Sequence, residues 1–159
     1  MSETISFTLN NRPVTVSLRP DDALLHALRG TLGLLATRFG CGAEACGACM
    51  VLLDGAPVNS CTLPLERVAG RQVVTVEGLG TPEAPHPLQA ALLEEQAGQC
   101  GYCLSGIQIA AAALLARNAD PSRAEIAEAL AGNLCRCGAH NRIIRAVQRA
   151  ARSLRGEAS

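Results

Sequence analysis

The chain has 159 residues, 48% of them hydrophobic, and a formal net charge of zero. That length accommodates one ordinary domain or two small ones, and a neutral chain gives no global electrostatic argument for nucleic acid or a membrane surface as partner. The three aromatics, Phe7, Phe39 and Tyr102, leave the core to Leu, Val, Ile and Ala, and all 14 basic residues are arginine.

The first half reads as strands around one helix. "TISFTLN" alternates Ile5, Phe7 and Leu9; Asn10-Asn11 is turn chemistry; Val14, Val16 and Leu18 resume the alternation, which predicts a hairpin. "PDDALLHALRGTLGL" predicts a helix capped by Asp21 or Asp22 and ended at Gly33. "MVLLDGAPVNSC" predicts a second hairpin with Asp54-Gly55 at its tip, and "RQVVTVEG" a last strand. "GLGTPEAPHP" has the composition of a linker. Beyond it the pattern turns helical: one helix from Pro87, a second capped by Ser105, a third behind a Ser122–Glu125 capping box, and a fourth from about His140 to Leu154. The expected division is residues 1–77, a linker at 78–86, and a helical unit at 87–155, with 156–159 frayed.

The eight cysteines divide evenly between these halves. "MSETISFTLN" has neither a basic segment nor an apolar run, and no stretch of the chain is long and apolar enough to span a bilayer, so direct membrane insertion is not expected. The expected compartment is the cytoplasm, with any membrane association made through partners. In a reducing compartment that many thiols read first as metal ligands. Cys41, Cys46, Cys49 and Cys61 follow C-x4-C-x2-C, with a fourth cysteine after eleven intervening residues. That is the plant-type [2Fe–2S] spacing: two irons need two thiolates each, and the interleaved glycines let backbone N–H groups approach the sulfurs. Zinc prefers short C-x2-C knuckles in both halves of its ligand set and fits this one poorly. Cys100, Cys103, Cys135 and Cys137 form C-x2-C and C-x-C pairs separated by 31 residues. Spacing alone leaves a second cluster or zinc open here. Each pair precedes a predicted helix, and two helix N-termini facing one centre suit an anionic cluster. With eight thiols available, ligation by His26, His86 or His140 is unnecessary.

With "FGCG…CGACMV", "QCGYC" and "NLCRCG" in this order, the chain resembles the small iron–sulfur subunit of molybdenum hydroxylases, the xanthine oxidase family, over residues 3–153. "HPLQAALLEEQAGQCGYCLSG" and "NLCRCGAHNRIIRAVQRAA" resemble the bacterial nicotinate dehydrogenase and isoquinoline 1-oxidoreductase branch. The xanthine and aldehyde oxidase branches usually carry Thr-Pro where Leu104-Ser105 stands, although small subunits of bacterial aldehyde dehydrogenases look similar. The resemblance implies an α+β chain, a β-grasp plant-type ferredoxin domain followed by an all-α four-helix [2Fe–2S] domain. It implies two [2Fe–2S] clusters and a separate large subunit holding molybdopterin cytosine dinucleotide, where the substrate is hydroxylated. Gln99 and Cys137 match residues that lie against the pterin. Electrons then leave through the two clusters to a flavin or cytochrome c-type acceptor subunit. No catalytic residue is expected on this chain. A free-standing ferredoxin-like carrier and a zinc-stabilised interaction module are the competing readings; the long helical half argues against the first.

Three further features invite expectations. Arg142, Arg145, Arg149 and Arg152 fall on one face of the last helix and read as a solvated polar face, with a docking surface as the sharper alternative. Tyr102 and Phe39 read as hydrophobic lids over the clusters, and His140 as a capping or surface residue. Glu44 stands where the family has a small residue; the expectation is an unstrained backbone and a side chain pointing to water, the alternative being a carboxylate that lowers the potential of the neighbouring cluster.

Overall fold

The computed structural model describes residues 1–157; positions 158 and 159, part of the stretch expected to fray, lie outside the described residues. Within that stretch Gly156 and Glu157 are held, because Arg155 pairs with Glu157 and with Asp120.

β1 (Glu3–Leu9) and β2 (Arg12–Leu18) form the first hairpin, in register from Glu3 opposite Leu18 to Leu9 opposite Arg12. Asn10 and Asn11 take φ of 48° and 64°, the paired left-handed conformation that closes a two-residue turn. β3 (Met50–Leu53) and β4 (Ala56–Asn59) form the second hairpin around Asp54 and Gly55, also left-handed. β5 (Gln72–Val74) lies between the hairpins, parallel to β1 and antiparallel to β3, which gives the order β2-β1-β5-β3-β4. β5 stops sooner than "RQVVTVEG" predicts. The Asn10 side chain grips Thr75 at both N–H and hydroxyl, 2.9 and 3.0 Å away, and the chain turns into a 3-10 segment, Val76–Gly78. Ile5, Phe7, Leu9, Val16, Val51, Leu53 and Val73 bury one face of the sheet against Leu24, Leu28, Leu65 and Val68.

The expected first helix is shorter and differently capped. α1 (Leu24–His26) continues as a π-helical segment, Ala27–Thr31, and its N-cap is Ala23, without a side-chain cap. Asp21 and Asp22 turn back to Arg19 instead: Asp21 pairs with its guanidinium and Asp22 accepts from its N–H at 3.1 Å. Gly33, left-handed, does follow the segment's end.

Four α-helices occupy the second half. α2 (Pro87–Glu94) opens on a reciprocal box in which Leu88 N–H donates to His86 Nδ1 and His86 N–H donates to Gln89 Oε1. α3 (Leu104–Arg117) is buried nearly all round, as an apolar helix between two layers must be. Ile107, Ala111, Leu114 and Leu115 join the helical core, and the helix also packs on β3 and β4. Ser105 is not its cap. Cys103 occupies that position, and the Ser105 hydroxyl, inside the first turn, donates to Ala48 O at 3.2 Å. α4 (Arg123–Ala129) carries the expected Ser122–Glu125 box. α5 (His140–Leu154) lays Ile143, Ile144, Val147 and Ala150 on α2 and α4. Among the described residues no helix is long and apolar enough to cross a membrane.

Candidate metal centres

The first cysteine set sits where the chain leaves the helical segment and enters β3. Cys41, Cys46 and Cys49 lie on this loop, and Cys61 follows β4, so the second hairpin folds Cys61 back toward Cys49. The thiols fall into two pairs. Cys41 adjoins Cys46 and Cys49 adjoins Cys61, each near enough to perturb the other's ionisation. The backbone closes around them: N–H groups of Ala43 and Ala45 donate to Cys41 Sγ at 3.3 and 3.2 Å, and Cys41 N–H donates to Cys46 Sγ at 3.4 Å. A methyl on Gly40 would stand 2.6 Å from Cys46 Sγ, so the missing side chain is what lets backbone and sulfur meet.

The second set comes from two helix N-termini. Cys100 and Cys103 precede α3; Cys135 and Cys137 precede α5. Again the thiols pair, Cys137 with Cys100 at 3.4 Å and Cys103 with Cys135. Among the described residues no three Cys, His, Asp or Glu side chains converge on a single-ion site. Two thiols per position, twice in each half, is the donor set that two-iron centres need.

Each set combines a thiol that ionises readily with one that resists. The Ala43 and Ala45 N–H groups bring exposed Cys41 down to about 7, while burial pushes Cys49 up to about 11. The Tyr102 N–H lowers Cys100, while burial pushes Cys103 up to about 12. At Cys135 burial works against the thiolate, but the Ala139 N–H, Cys103 and the Cys137 N–H outweigh it and the thiol is lowered. At Cys49 and Cys103 the surroundings disfavour the thiolate, and a bound cation is the kind of charge that would offset this.

Gln99 Nε2 donates to Cys137 O at 3.4 Å, so this predicted pair lies together on an exposed rim. Tyr102 and Phe39 both stand beside the cysteine loops, and the Phe39 ring lies against Gly42, where a methyl would be 3.1 Å away. Both are half exposed, the Tyr102 hydroxyl donates to Phe39 O, and the Arg38 guanidinium stands 5.7 Å over the Tyr102 ring. These contacts tie one cysteine loop to the other. His140 is exposed at the start of α5. The arginine stripe lies on the surface as expected, with Arg142, Arg145 and Arg152 exposed, and three of its members also reach α2: Arg145 and Arg149 pair with Glu95, Arg149 with Glu94, and Arg142 donates to Gln96 O.

Glu44 contradicts its expectation. Its φ is 57°, the left-handed region that favours glycine, and its carboxylate accepts a hydrogen bond from Thr62, next to Cys61. Thr62, Ser105 and Asn133 are the contributors to this region that sequence reasoning missed. Their only signal was position, within two residues of a cysteine.

Two sets of paired thiols, one on a strand-flanked loop and one at helix N-termini, define a protein of two iron–sulfur centres. Residues 7–74 match the family described as a 2Fe-2S iron-sulfur cluster binding domain, and residues 75–148 that of a [2Fe-2S] binding domain. The chain is 50% identical to a nicotinate dehydrogenase subunit of Pseudomonas putida, over 98% of this chain and 99% of that one. It is 51% identical to an isoquinoline 1-oxidoreductase subunit of Brevundimonas diminuta, over 93% and 97%. The crystal structure of the aldehyde oxidoreductase of Desulfovibrio desulfuricans superposes with a TM-score of 0.96 at 39% identity, covering 99% of this chain but 18% of that larger one. The chain belongs to the small [2Fe–2S] subunits of the molybdenum hydroxylases, the xanthine oxidase family. Its part in an oxidoreductase is electron transfer, and it is not catalytic alone.

Proposed function

We propose that the chain carries electrons out of a molybdenum hydroxylase through two [2Fe–2S] clusters. In this reading the N-terminal cluster is held by Cys41, Cys46, Cys49 and Cys61 in a β-grasp ferredoxin domain, residues 1–77. The second is held by Cys100, Cys103, Cys135 and Cys137 in a four-helix domain, residues 87–155, with 78–86 as linker. The observation that carries it is the gathering of four thiols in each half, with backbone N–H groups at Cys41 and Cys46 in one and Cys137 Sγ 3.4 Å from Cys100 Sγ in the other. When bound, each cluster accepts and releases one electron. The chain's own residues hold the thiolates, direct N–H groups at Cys41 Sγ and Cys46 Sγ, and shield Cys49 from water.

Gln99 and Cys137 form the rim that meets the pterin of a large partner subunit, which carries molybdopterin cytosine dinucleotide. The identity to nicotinate dehydrogenase and isoquinoline 1-oxidoreductase subunits favours an N-heteroaromatic substrate such as nicotinate on that partner. An aldehyde is the alternative, supported by the likeness to aldehyde oxidoreductase. The electron acceptor is a flavin or cytochrome c-type subunit, and the complex works in the cytoplasm or on a membrane through its partners.

Metal and acid-labile sulfide analysis of the purified chain tests the core of this. Two irons and two sulfides for each half are expected; zinc without sulfide overturns it. Recovery with a molybdenum-containing chain is the second expectation, and isolation as a lone carrier refutes the assignment to a hydroxylase.

A further inference from the structure

The two cysteine loops touch along a short polar seam. Three consecutive carbonyls of the first loop each accept a hydrogen bond from the helical half. Cys46 O accepts from Leu134 N–H at 3.0 Å, Gly47 O from Asn133 Nδ2 at 3.3 Å, and Ala48 O from Ser105 Oγ at 3.2 Å. The donors flank one thiol pair of the second set: Ser105 is two residues beyond Cys103, and Asn133 and Leu134 lie just before Cys135. On the acceptor side, Cys46 is itself a thiol of the first set.

Ser105 and Asn133 are 7% and 4% exposed, two of the few polar side chains buried among the described residues. Asn133 Oδ1 finds no partner in its surroundings. Polar groups buried this way add little net stability over apolar ones; what they add is a single permitted arrangement. The packing around them has no slack. A methyl on Gly106 would stand 1.8 Å from Gly47 O, and one on Gly47 would stand 2.5 Å from both Asn133 Nδ2 and Gly132 O. Backbone therefore meets backbone at Gly47, and the two side chains lock the contact from either side.

We propose that Ser105 and Asn133 are positioning residues that set the separation between the two clusters, and with it the rate at which an electron crosses from the C-terminal cluster to the N-terminal one. The inference rests on the reading that the eight thiols hold two clusters. Electron tunnelling falls exponentially with distance, so a seam that fixes backbone to backbone controls the rate through the separation it sets, without a hydrogen bond from Ser105 or Asn133 to any thiol. One electron leaves the C-terminal cluster and one arrives at the N-terminal cluster; no other group changes oxidation state.

The test uses the full chain in its assembled complex, both clusters loaded. The readouts are the magnetic splitting between the two reduced clusters in the EPR spectrum and the crossing rate after flash photoreduction. Ser105→Ala is expected to reduce the splitting and slow the crossing several-fold, with iron content and both midpoint potentials as in the native protein. Ser105→Thr, which keeps the hydroxyl, is expected to restore both, and Ser105→Ala with Asn133→Ala to exceed the single change. A fully loaded Ser105→Ala protein with native splitting and native rate overturns the proposal. So does loss of a cluster from Ser105→Ala, which makes the residue part of the folding frame and not a spacer. A native protein without two reducible clusters refutes the underlying function instead, before any variant is compared.

Discussion

The two halves hold four thiols each but assemble them by opposite routes. In the N-terminal half three thiols lie within nine residues of one loop, and the hairpin β3–β4 returns the fourth. In the C-terminal half two pairs, 31 residues apart, meet only because α3 and α5 pack against a shared core. The first site is thus a property of local chain geometry, and the second a property of tertiary packing. Damage to the helical core should disable the second centre selectively, whereas the loss of a seam hydrogen bond should leave both centres loaded and change only their separation.

The largest expected effect is Gly106→Ala. A methyl 1.8 Å from a backbone carbonyl cannot be accommodated by side-chain movement, and the cost should be at least about 3 kcal/mol. Urea unfolding measures it, and a native midpoint would show that the halves can slide apart freely. Next comes Ile143→Ala, 1% exposed in α5, which should cost about 2–5 kcal/mol and lower the EPR signal of the C-terminal cluster more than that of the other. Equal loss of both signals would break the distinction between local and tertiary sites. Ser122→Ala removes one member of the capping box ahead of α4 and should cost about 1 kcal/mol, read from the same unfolding curves.

A pH dependence separates the halves more finely. The Glu95 carboxyl is held below its ordinary value by hydrogen bonds from Arg145 and Arg149. A carboxyl whose folded pKa is depressed adds stability above its unfolded pKa, roughly 4.3, and loses it as pH falls through the folded value. The native chain should therefore exceed Glu95→Gln in denaturant midpoint near neutrality, and the difference should close in acid. A constant difference would mean that packing, not charge, joins α2 to α5. The smallest effect on stability is expected from Glu44→Gln. It keeps an acceptor for Thr62 but removes the charge, so the midpoint potential of the N-terminal cluster should rise while that of the C-terminal cluster stays in place. Redox titration decides, and an unmoved N-terminal potential would leave Glu44 with no electrostatic role.

What could be read from the sequence was what neighbours along the chain decide. Asn10-Asn11 and Asp54-Gly55 specify their turns, Ser122 and Glu125 cap each other, and α5 lies where its apolar spacing predicts. The cysteine spacing announced the chemistry of the first centre; for the second it left zinc open, and the order of all the motifs was needed. What was misread depended on partners far away in sequence. Ser105 answers to Ala48, 57 positions back, and not to the end of its own helix. Glu44 was misjudged because its left-handed backbone is fixed by the wrap of the loop around Cys41, and its carboxylate by Thr62, eighteen positions on.

The burial of Cys49 makes the N-terminal thiol set two-faced. Cys41 stands exposed on the protein surface, whereas Cys49 is 2% exposed. A centre held by this set would be open to a thiol reagent or an oxidant at Cys41 and closed to it at Cys49.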